Sequence, residues 1–489
     1  MDGTLHKSEI GTLDTAILLA SSGIFDVGVN AEPRRVGALT RIGGLTLFQR
    51  TVFTLQRGGI SQIFALVGDE EAELRSLIHA DDRVQAVIRW LPTREFPSSD
   101  SETWETLASE LKSSCLILGC HMVFSPALIE SIREESRDGR VVVAIGRPGE
   151  PGWMRNPGVL MRADASSTGM SHRVVFHDSL GRPHAASQES GEGLAPAADL
   201  VVLPPRLMGI SGAWNTPETG PIRLALEQAA AEGVVQTVSA SAHGYVDVRG
   251  ENGESRAEQM LFQSFQTVKE SLDGLIDRFV NRKFSALFTR GFIRLGLSPN
   301  TITILSMMIG LAGAACFATG SYEFGVVGAL LFQLAVIIDC CDGEVARLTF
   351  AESPFGQELD IIADNIVHMA IFAGVAWGSY LTGSWAQTHW PLLLGAMAIL
   401  ANGFSLWCVN VVRHMKANPL RWSRLNVWQR KRLEFILGNV ANRDFSVVVL
   451  LFACVGILPW FLWLGAVGSS FFALFMAWIL RRALLPPSA

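Results

Sequence analysis

The sequence has no excess of positive charge. Its 40 Lys and Arg against 46 Asp and Glu leave a formal net charge of −6 over 489 residues. That imbalance is small and of the wrong sign to hold a polyanion, so a nucleic-acid partner is excluded. Cysteine is sparse and irregular: seven thiols follow no repeating spacing, which excludes a disulfide framework. Cys316, Cys340, Cys341, Cys408 and Cys454 fall in or beside apolar runs, where cysteine acts as a small hydrophobe. A reducing setting for the soluble part is expected. The opening MDGTLHKSEIGTLDTAILLASSG lacks the basic flank and long apolar core of a secretory leader, so the N-terminus is expected to stay in the cytoplasm. Long apolar runs are missing as well, but only up to about Gly250. From Thr301 onward they reach roughly 18 to 24 residues, enough to cross a bilayer core of about 30 Å as helices.

The length predicts two or three domains. In the first 250 residues, brief aliphatic runs at Thr15–Ala20, Gln62–Val67, Val84–Trp90, Cys115–Leu118 and Val141–Ile145 alternate with helical patterns at Thr46–Gln56, Asp69–His79 and Pro126–Glu134. This alternation predicts a mostly parallel, doubly wound α/β sheet. The Gly/Ser/Pro-rich stretch from Ser179 to Pro196 reads as a loop. Residues 251–297 read as a linker ending in an amphipathic helix. Leu275, Ile276, Phe279, Val280, Leu287, Phe288 and Phe292 recur there at helical spacing among Arg278, Arg282, Lys283, Arg290 and Arg294. Placed directly before a span, such a helix is expected to lie on an anionic membrane surface.

Residues 298–489 read as an all-α domain of six transmembrane helices, at about 301–320, 322–340, 358–381, 390–413, 444–461 and 463–481. The turns near Gly320, Gly383 and Pro459 carry no Lys or Arg, whereas the loop from Arg413 to Arg443 holds Lys416, Arg421, Arg424, Arg430, Lys431 and Arg432. The positive-inside rule puts that loop, both termini and the 339–358 connection on the cytoplasmic side of the inner membrane.

That connection carries the chemistry. Asp339-Cys-Cys-Asp342-Gly343-Glu-Val-Ala346-Arg347 is followed, after eight residues, by Gly356-Gln-Glu-Leu-Asp360-Ile-Ile-Ala-Asp364. Asp339 and Asp342 share one helix face, as do Asp360 and Asp364. Four carboxylates at membrane helix ends are costly unless paired or metal-bound. A salt-bridged junction with Arg347 is the alternative, but one Arg does not balance four buried carboxylates. Two divalent ions on hard oxygen ligands, Mg²⁺ or Mn²⁺, would make them a cage suited to displacement at phosphorus.

The spacing resembles, at every defined position, the signature D-x-x-D-G-x-x-A-R, eight residues, G-x-x-x-D-x-x-x-D of the CDP-alcohol phosphotransferase (CDP-alcohol phosphatidyltransferase) superfamily, over roughly Gly274 to Arg482. The resemblance implies metal ligands at Asp339, Asp342 and Asp360. It implies a general base at Asp364, which also touches a metal, and a CDP site lined by Gly343, Ala346, Arg347 and Gly356. Ser298-Pro299-Asn300-Thr301-Ile302-Thr303 resembles the family's P-N-x-x-T segment, making Asn300 and Thr303 candidate nucleotide contacts. The implied reaction passes a phosphoalcohol group from a CDP-alcohol to an acceptor hydroxyl with release of CMP, in a homodimer among membrane lipids. Arg413 is the first candidate for an acceptor phosphate; lipid anchoring is the competing reading for each cation of its loop.

The first 250 residues resemble a sugar-nucleotide transferase. AILLASSG, then IGGLTLFQRTVFTLQRGGISQIFALVG at Ile42–Gly68, LILGCHMVFSP at Leu116–Pro126 and Tyr245-Val-Asp247-Val carry the likeness. The fusion resembles the bifunctional inositol-1-phosphate cytidylyltransferase/di-myo-inositol-phosphate phosphate synthases. This chain departs from that pattern, with Ser-Ser-Gly-Ile-Phe-Asp-Val-Gly at 21–28 for the Gly-rich turn. Arg34, Arg35 and Arg41 are approximate substitutes for a missing lysine, Cys120 stands for a metal-binding Asp, and Asp247 alone remains of an acidic pair. His121 reads as packed or solvated rather than as a ligand. The soluble half is therefore expected to be a degenerate module. A fully bifunctional enzyme and a transporter with a regulatory domain are the competing readings, the transporter disfavoured because the carboxylates gather at one membrane edge.

Overall fold

The computed structural model describes residues 13–21, 36–137, 139–146, 159–166, 169–176, 194–208, 221–250, 252–269, 282–382, 388–417, 422, 427–428, 430–433 and 445–484. The turn read at 21–28 from Ser22 on, Arg34, Arg35, the loop 179–193, the helical pattern at 275–281, and Arg421 and Arg424 lie outside these residues. The chain divides into two compact units, Met1–Ser264 and Phe265–Ala489.

In the first unit, strand Thr15–Leu19 pairs in parallel with Gln62–Val67 on one side and Cys115–Gly119 on the other, and Gln62–Val67 pairs in parallel with Val87–Pro92. All five residues of Thr15–Leu19 are buried, as a strand covered by helices on both faces requires. Helix Leu47–Arg57 starts in a capping box: the Thr46 hydroxyl accepts from the Gln49 amide, and the Gln49 side chain accepts from the Thr46 amide. Beyond Cys115–Gly119 the sheet changes sense. Leu194–Leu203 runs antiparallel to both Cys115–Gly119 and Val141–Ile145, and Val235–Ser239 joins Val141–Ile145 in parallel. A hairpin, Val159–Ser166 with Gly169–Phe176, extends the sheet. The stretch read as a loop up to Pro196 is already strand at Leu194, and the hairpin was not anticipated. Neither segment alternates cleanly, so pairing rather than local pattern makes them strands. The core gathers Trp104, Leu66, Val143, Val201 and Leu226. Helix Gly253–Lys269 buries Ala257 and Leu261.

The second unit opens with helix Arg282–Arg294. Among the described residues six apolar helices follow: Pro299–Ala318, Tyr322–Leu348, Pro354–Leu381, Trp390–Ala417, Phe445–Val455 and Leu458–Leu484. Five of them are long and apolar enough to cross a membrane; Phe445–Val455 is shorter among the described residues. The break between the last two falls at Gly456, not after Pro459 as the spans 444–461 and 463–481 expected. Gly456 takes φ +76°, and the Ile457 amide closes back on the Phe452 carbonyl at 3.0 Å, a glycine-terminated helix end. Pro459 then sits in the first turn of the next helix, where no amide donor is needed.

The second and third apolar helices each pack along the first rather than mainly against each other. The first and second approach at Gly313 and Gly328. A Cβ on Gly313 would lie 2.9 Å from the Gly328 carbonyl oxygen, and one on Gly328 would lie 2.8 Å from that of Gly313, so only glycine permits this contact. Gly328→Val is expected to destabilise the protein by about 1–3 kcal/mol in detergent. Gly403→Val, where a Cβ meets nothing within 4 Å, should leave the unfolding temperature within error. Equal melting of the two variants would contradict the close crossing.

Helix Arg282–Arg294 is not spent wholly on a lipid surface. Phe288, Phe292 and Ile293 pack on Ile302, Ile338, Cys341 and Val345 of the first two apolar helices, while Phe284 and Leu287 stay exposed.

Candidate active site

The second apolar helix runs without a break from Tyr322 to Leu348 and so carries the whole first half of the acidic motif. The third begins at Pro354, with the Ser353 hydroxyl capping the Gly356 amide at 3.0 Å, and carries the second half. Between them Phe350 adopts φ +56°, a left-handed position that lets the chain reverse in a short turn. Asp342 lies six residues before Leu348 and Asp360 six residues after Pro354. At 1.5 Å per residue both sit about 9 Å in from their helix ends.

At that level Asp339, Asp342 and Asp360 each present a carboxylate oxygen within 4.8 Å of the others; the first two are buried and the third half-buried. Asp364, one turn further along the third helix and half-buried, does not complete a four-carboxylate set at this spacing. Three converge, and the first helix stands beside them. The Thr303 hydroxyl donates to Asp342 Oδ2 at 2.5 Å. Ser306 donates to the Thr303 carbonyl at 2.8 Å and lies 3.4 Å from Asp339 Oδ1. Sequence reasoning missed Ser306; its position one turn after Thr303 was the available signal.

The other candidates distribute as follows. A Cβ on Gly356 would stand 3.0 Å from Asn300 Oδ1, so the start of the first helix and the start of the third meet at a glycine. A Cβ on Gly343 would lie 3.1 Å from Arg347 Nη1; the guanidinium folds back one turn over the bare backbone. Ala346 is half-buried on the same helix. Arg413 is exposed near the end of the fourth apolar helix. Three clustered carboxylates offer a hard, anionic oxygen donor set, which fits Mg²⁺ or Mn²⁺. Because Thr303 holds Asp342 from behind, Thr303→Val is expected to raise the half-saturating Mg²⁺ concentration about 10- to 100-fold. An unchanged metal titration would show that the hydroxyl has no such part.

The first unit holds a second polar cluster, at the end of Cys115–Gly119. His121 Nε2 lies 2.6 Å from Asp199 Oδ2. Arg249 Nη2 reaches Asp199 Oδ2 at 2.8 Å and Asp247 Oδ2 at 2.9 Å, so its guanidinium spans the two carboxylates. His121, Asp199 and Asp247 are buried. The buried His121 ring thus faces the Asp199 carboxylate rather than being merely packed or solvated. Burial alone would raise the Asp199 carboxyl, but His121 and Arg249 together hold it below its ordinary range. Burial, then the charges of Asp247 and Asp199, pushes the Tyr245 phenol well up. Burial pushes the Cys120 thiol up to about 12, so it stays protonated at neutral pH as an inert buried thiol. Asp199 and Arg249 were missed from sequence; a lone carboxylate in the apolar run of Leu194–Leu203 was the only sign.

With this geometry in view, residues 297–479 match the family described as CDP-alcohol phosphatidyltransferase, and the membrane half of the chain is a transferase domain of that family. A relative from Rubrobacter xylanophilus named Bifunctional IPC transferase and DIPP synthase is 27% identical over 371 residues, 75% of this chain and 78% of its own. That match is longer than either unit, so it runs across both. Phosphatidylinositol phosphate synthase of Mycobacterium tuberculosis is 27% identical over 180 residues, 35% of this chain and 76% of its own. Among solved structures, the inositol-1-phosphate CTP transferase from T. maritima aligns with 52% of this chain and 96% of its own at 13% identity and a TM-score of 0.37.

Proposed function

We propose that the protein transfers a phosphoalcohol group, phosphatidyl or phosphoinositol, from a CDP-alcohol to the hydroxyl of an alcohol or polyol phosphate, releasing CMP. The convergence of Asp339, Asp342 and Asp360 within 4.8 Å carries this reading, because the same three residues fall on the family motif. Asp339, Asp342 and Asp360, with Asp364 one turn further on, would hold two divalent cations. Bound there, Mg²⁺ or Mn²⁺ would offset the charge of the pyrophosphate and of the departing CMP. Asn300, Thr303, Gly343, Ala346, Arg347 and Gly356 shape the CDP site. Gly356 and Gly343 leave the backbone open, Thr303 orients Asp342, and Arg347 supplies a fixed cation beside it. Asp364, outside the tight set, takes the proton of the acceptor hydroxyl. The acceptor oxygen bonds to the β-phosphorus as the bond from that phosphorus to the CMP oxygen breaks. Arg413 receives the acceptor's own phosphate. The positive-inside rule applied to the basic sequence after the fourth helix supports a site and an N-terminal unit on the cytoplasmic side of the inner membrane, and the same reading has the protein as a homodimer through the spans.

The soluble unit is read as a non-catalytic module. Where the fold likeness expects metal-binding carboxylates, Cys120 is a buried thiol and Arg249 already spans Asp199 and Asp247; an arginine held between two carboxylates takes the place a cation would need. The donor set does not fit a divalent ion, and no step is assigned to one there. A second reading, a bifunctional enzyme that also makes its donor from CTP, draws on the relative whose likeness spans both units.

CMP release from purified protein with Mg²⁺, inositol phosphate, and either CDP-inositol or CDP-diacylglycerol decides between polyol and lipid donors. Release from neither with any acceptor overturns the function. Pyrophosphate release from CTP and inositol 1-phosphate, absent in the first reading, would establish the second.

A further inference from the structure

Two residues beyond Asp342 the second apolar helix carries Glu344, at a position that the acidic motif leaves open. Two residues along a helix is a rotation of about 200°, so Glu344 faces away from the carboxylate cluster, toward helix Arg282–Arg294. There it accepts two hydrogen bonds, from Ser285 Oγ to Oε1 at 2.8 Å and from Thr289 Oγ1 to Oε2 at 2.6 Å. Ser285 and Thr289 lie four apart, on one helix face, and both are fully buried at 0% exposure. Around them the contact is apolar: Phe288, Phe292 and Ile293 against Ile338, Cys341 and Val345.

Apolar packing is non-directional and permits one helix to slide or roll on another. A carboxylate gripped at both oxygens by two hydroxyls on successive turns fixes both register and rotation. The residue so fixed stands two positions from Asp342 and five from Asp339, on an unbroken helix. Any roll of that helix displaces two of the three clustered carboxylates together.

We infer that Glu344, Ser285 and Thr289 form a positioning clamp that sets the second apolar helix at the angle at which Asp339 and Asp342 meet Asp360. None of the three touches substrate; they act through the carboxylates. The inference rests on the proposed reading of that cluster as the metal site.

Two readouts on the full-length protein in detergent separate the inference from that reading: Mn²⁺ binding, followed by the loss of the free-ion electron paramagnetic resonance signal, and CMP release. Glu344→Ala and the double variant Ser285→Ala/Thr289→Val are each expected to weaken Mn²⁺ binding at least tenfold and to lower kcat about 10- to 100-fold with donor KM little changed, since a shift of about 1 Å at reacting groups costs rate on that scale. Glu344→Gln, whose amide oxygen still accepts from one hydroxyl, should recover most of both. Combining Glu344→Ala with the double variant should add little, as for residues acting as one unit. A merely structural contact would lower thermal stability without moving the Mn²⁺ titration or being rescued by Gln. Wild-type Mn²⁺ affinity in Glu344→Ala and in the hydroxyl pair overturns the clamp, whether or not turnover is seen. Mn²⁺ binding by the wild type with no CMP release overturns the donor reading alone, and the clamp is still judged by the variants' affinities. Failure of the wild type to bind Mn²⁺ overturns both.

Discussion

Asp342→Asn is expected to lower CMP release by about 10³-fold or more, the scale on which loss of a group acting at the transition state is felt. Asparagine keeps the volume of the side chain and still accepts from Thr303, so the helix contact at 2.5 Å survives. What disappears is one negative charge of three gathered within 4.8 Å, and with it the affinity of the set for a divalent ion. Asp364→Asn should behave differently. That residue lies outside the tight set, so metal affinity should fall far less than turnover if it serves as the base. The paired measurement is CMP release against a Mg²⁺ titration. An Asp342→Asn protein retaining more than a tenth of wild-type turnover would remove the cluster from the mechanism. An Asp364→Asn variant that lost metal and rate in equal measure would make Asp364 a ligand only.

The largest effect on stability is expected in the first unit. Arg249→Ala leaves Asp199 and Asp247 buried without the guanidinium that spans them; removing one partner from a buried ion pair costs about 3–5 kcal/mol. Hydrogen exchange resolved by peptide should then rise in Leu194–Leu203 and Tyr245–Asp247, the strands that bear these carboxylates, while Pro299–Ala318 keeps its protection. The pH dependence has a definite sign. Asp199 is held below its ordinary value in the fold, so it adds stability that is present above the ordinary carboxylate pKa of about 4 and is lost as pH falls through the lowered one. The acid side of the stability curve should therefore flatten in Asp199→Asn. An Arg249→Ala protein as stable as the wild type would mean the guanidinium is not the partner that the two carboxylates need.

Much of this protein was determined by sequence alone, and for a physical reason. Long apolar runs have one solution in a bilayer, so the first and third apolar helices lie within a few residues of where hydropathy put them, whereas the second runs eight residues past the expected 340 to Leu348 because its polar end is carried on by the fold. Three- and four-residue spacings on a helix fix which side chains share a face, so Asp339 with Asp342 was legible before any fold was known. The strands Thr15–Leu19, Cys115–Gly119 and Val141–Ile145 followed from short aliphatic runs buried on both faces. Interactions between distant segments decided the rest. Which carboxylates meet depends on how three helices cross: the first packs along both the second and the third, and only the fold brings it close to the second at Gly313 and Gly328. Leu194–Leu203 is a strand because Cys115–Gly119 and Val141–Ile145 offer it partners on both sides. Arg249 counts because Asp199, fifty residues earlier, is brought beside Asp247, and Glu344 because helix Arg282–Arg294 turns two hydroxyls toward it. Charge pairing and hydrogen bonding act over a few ångströms of space, and only the tertiary fold decides which residues come that close.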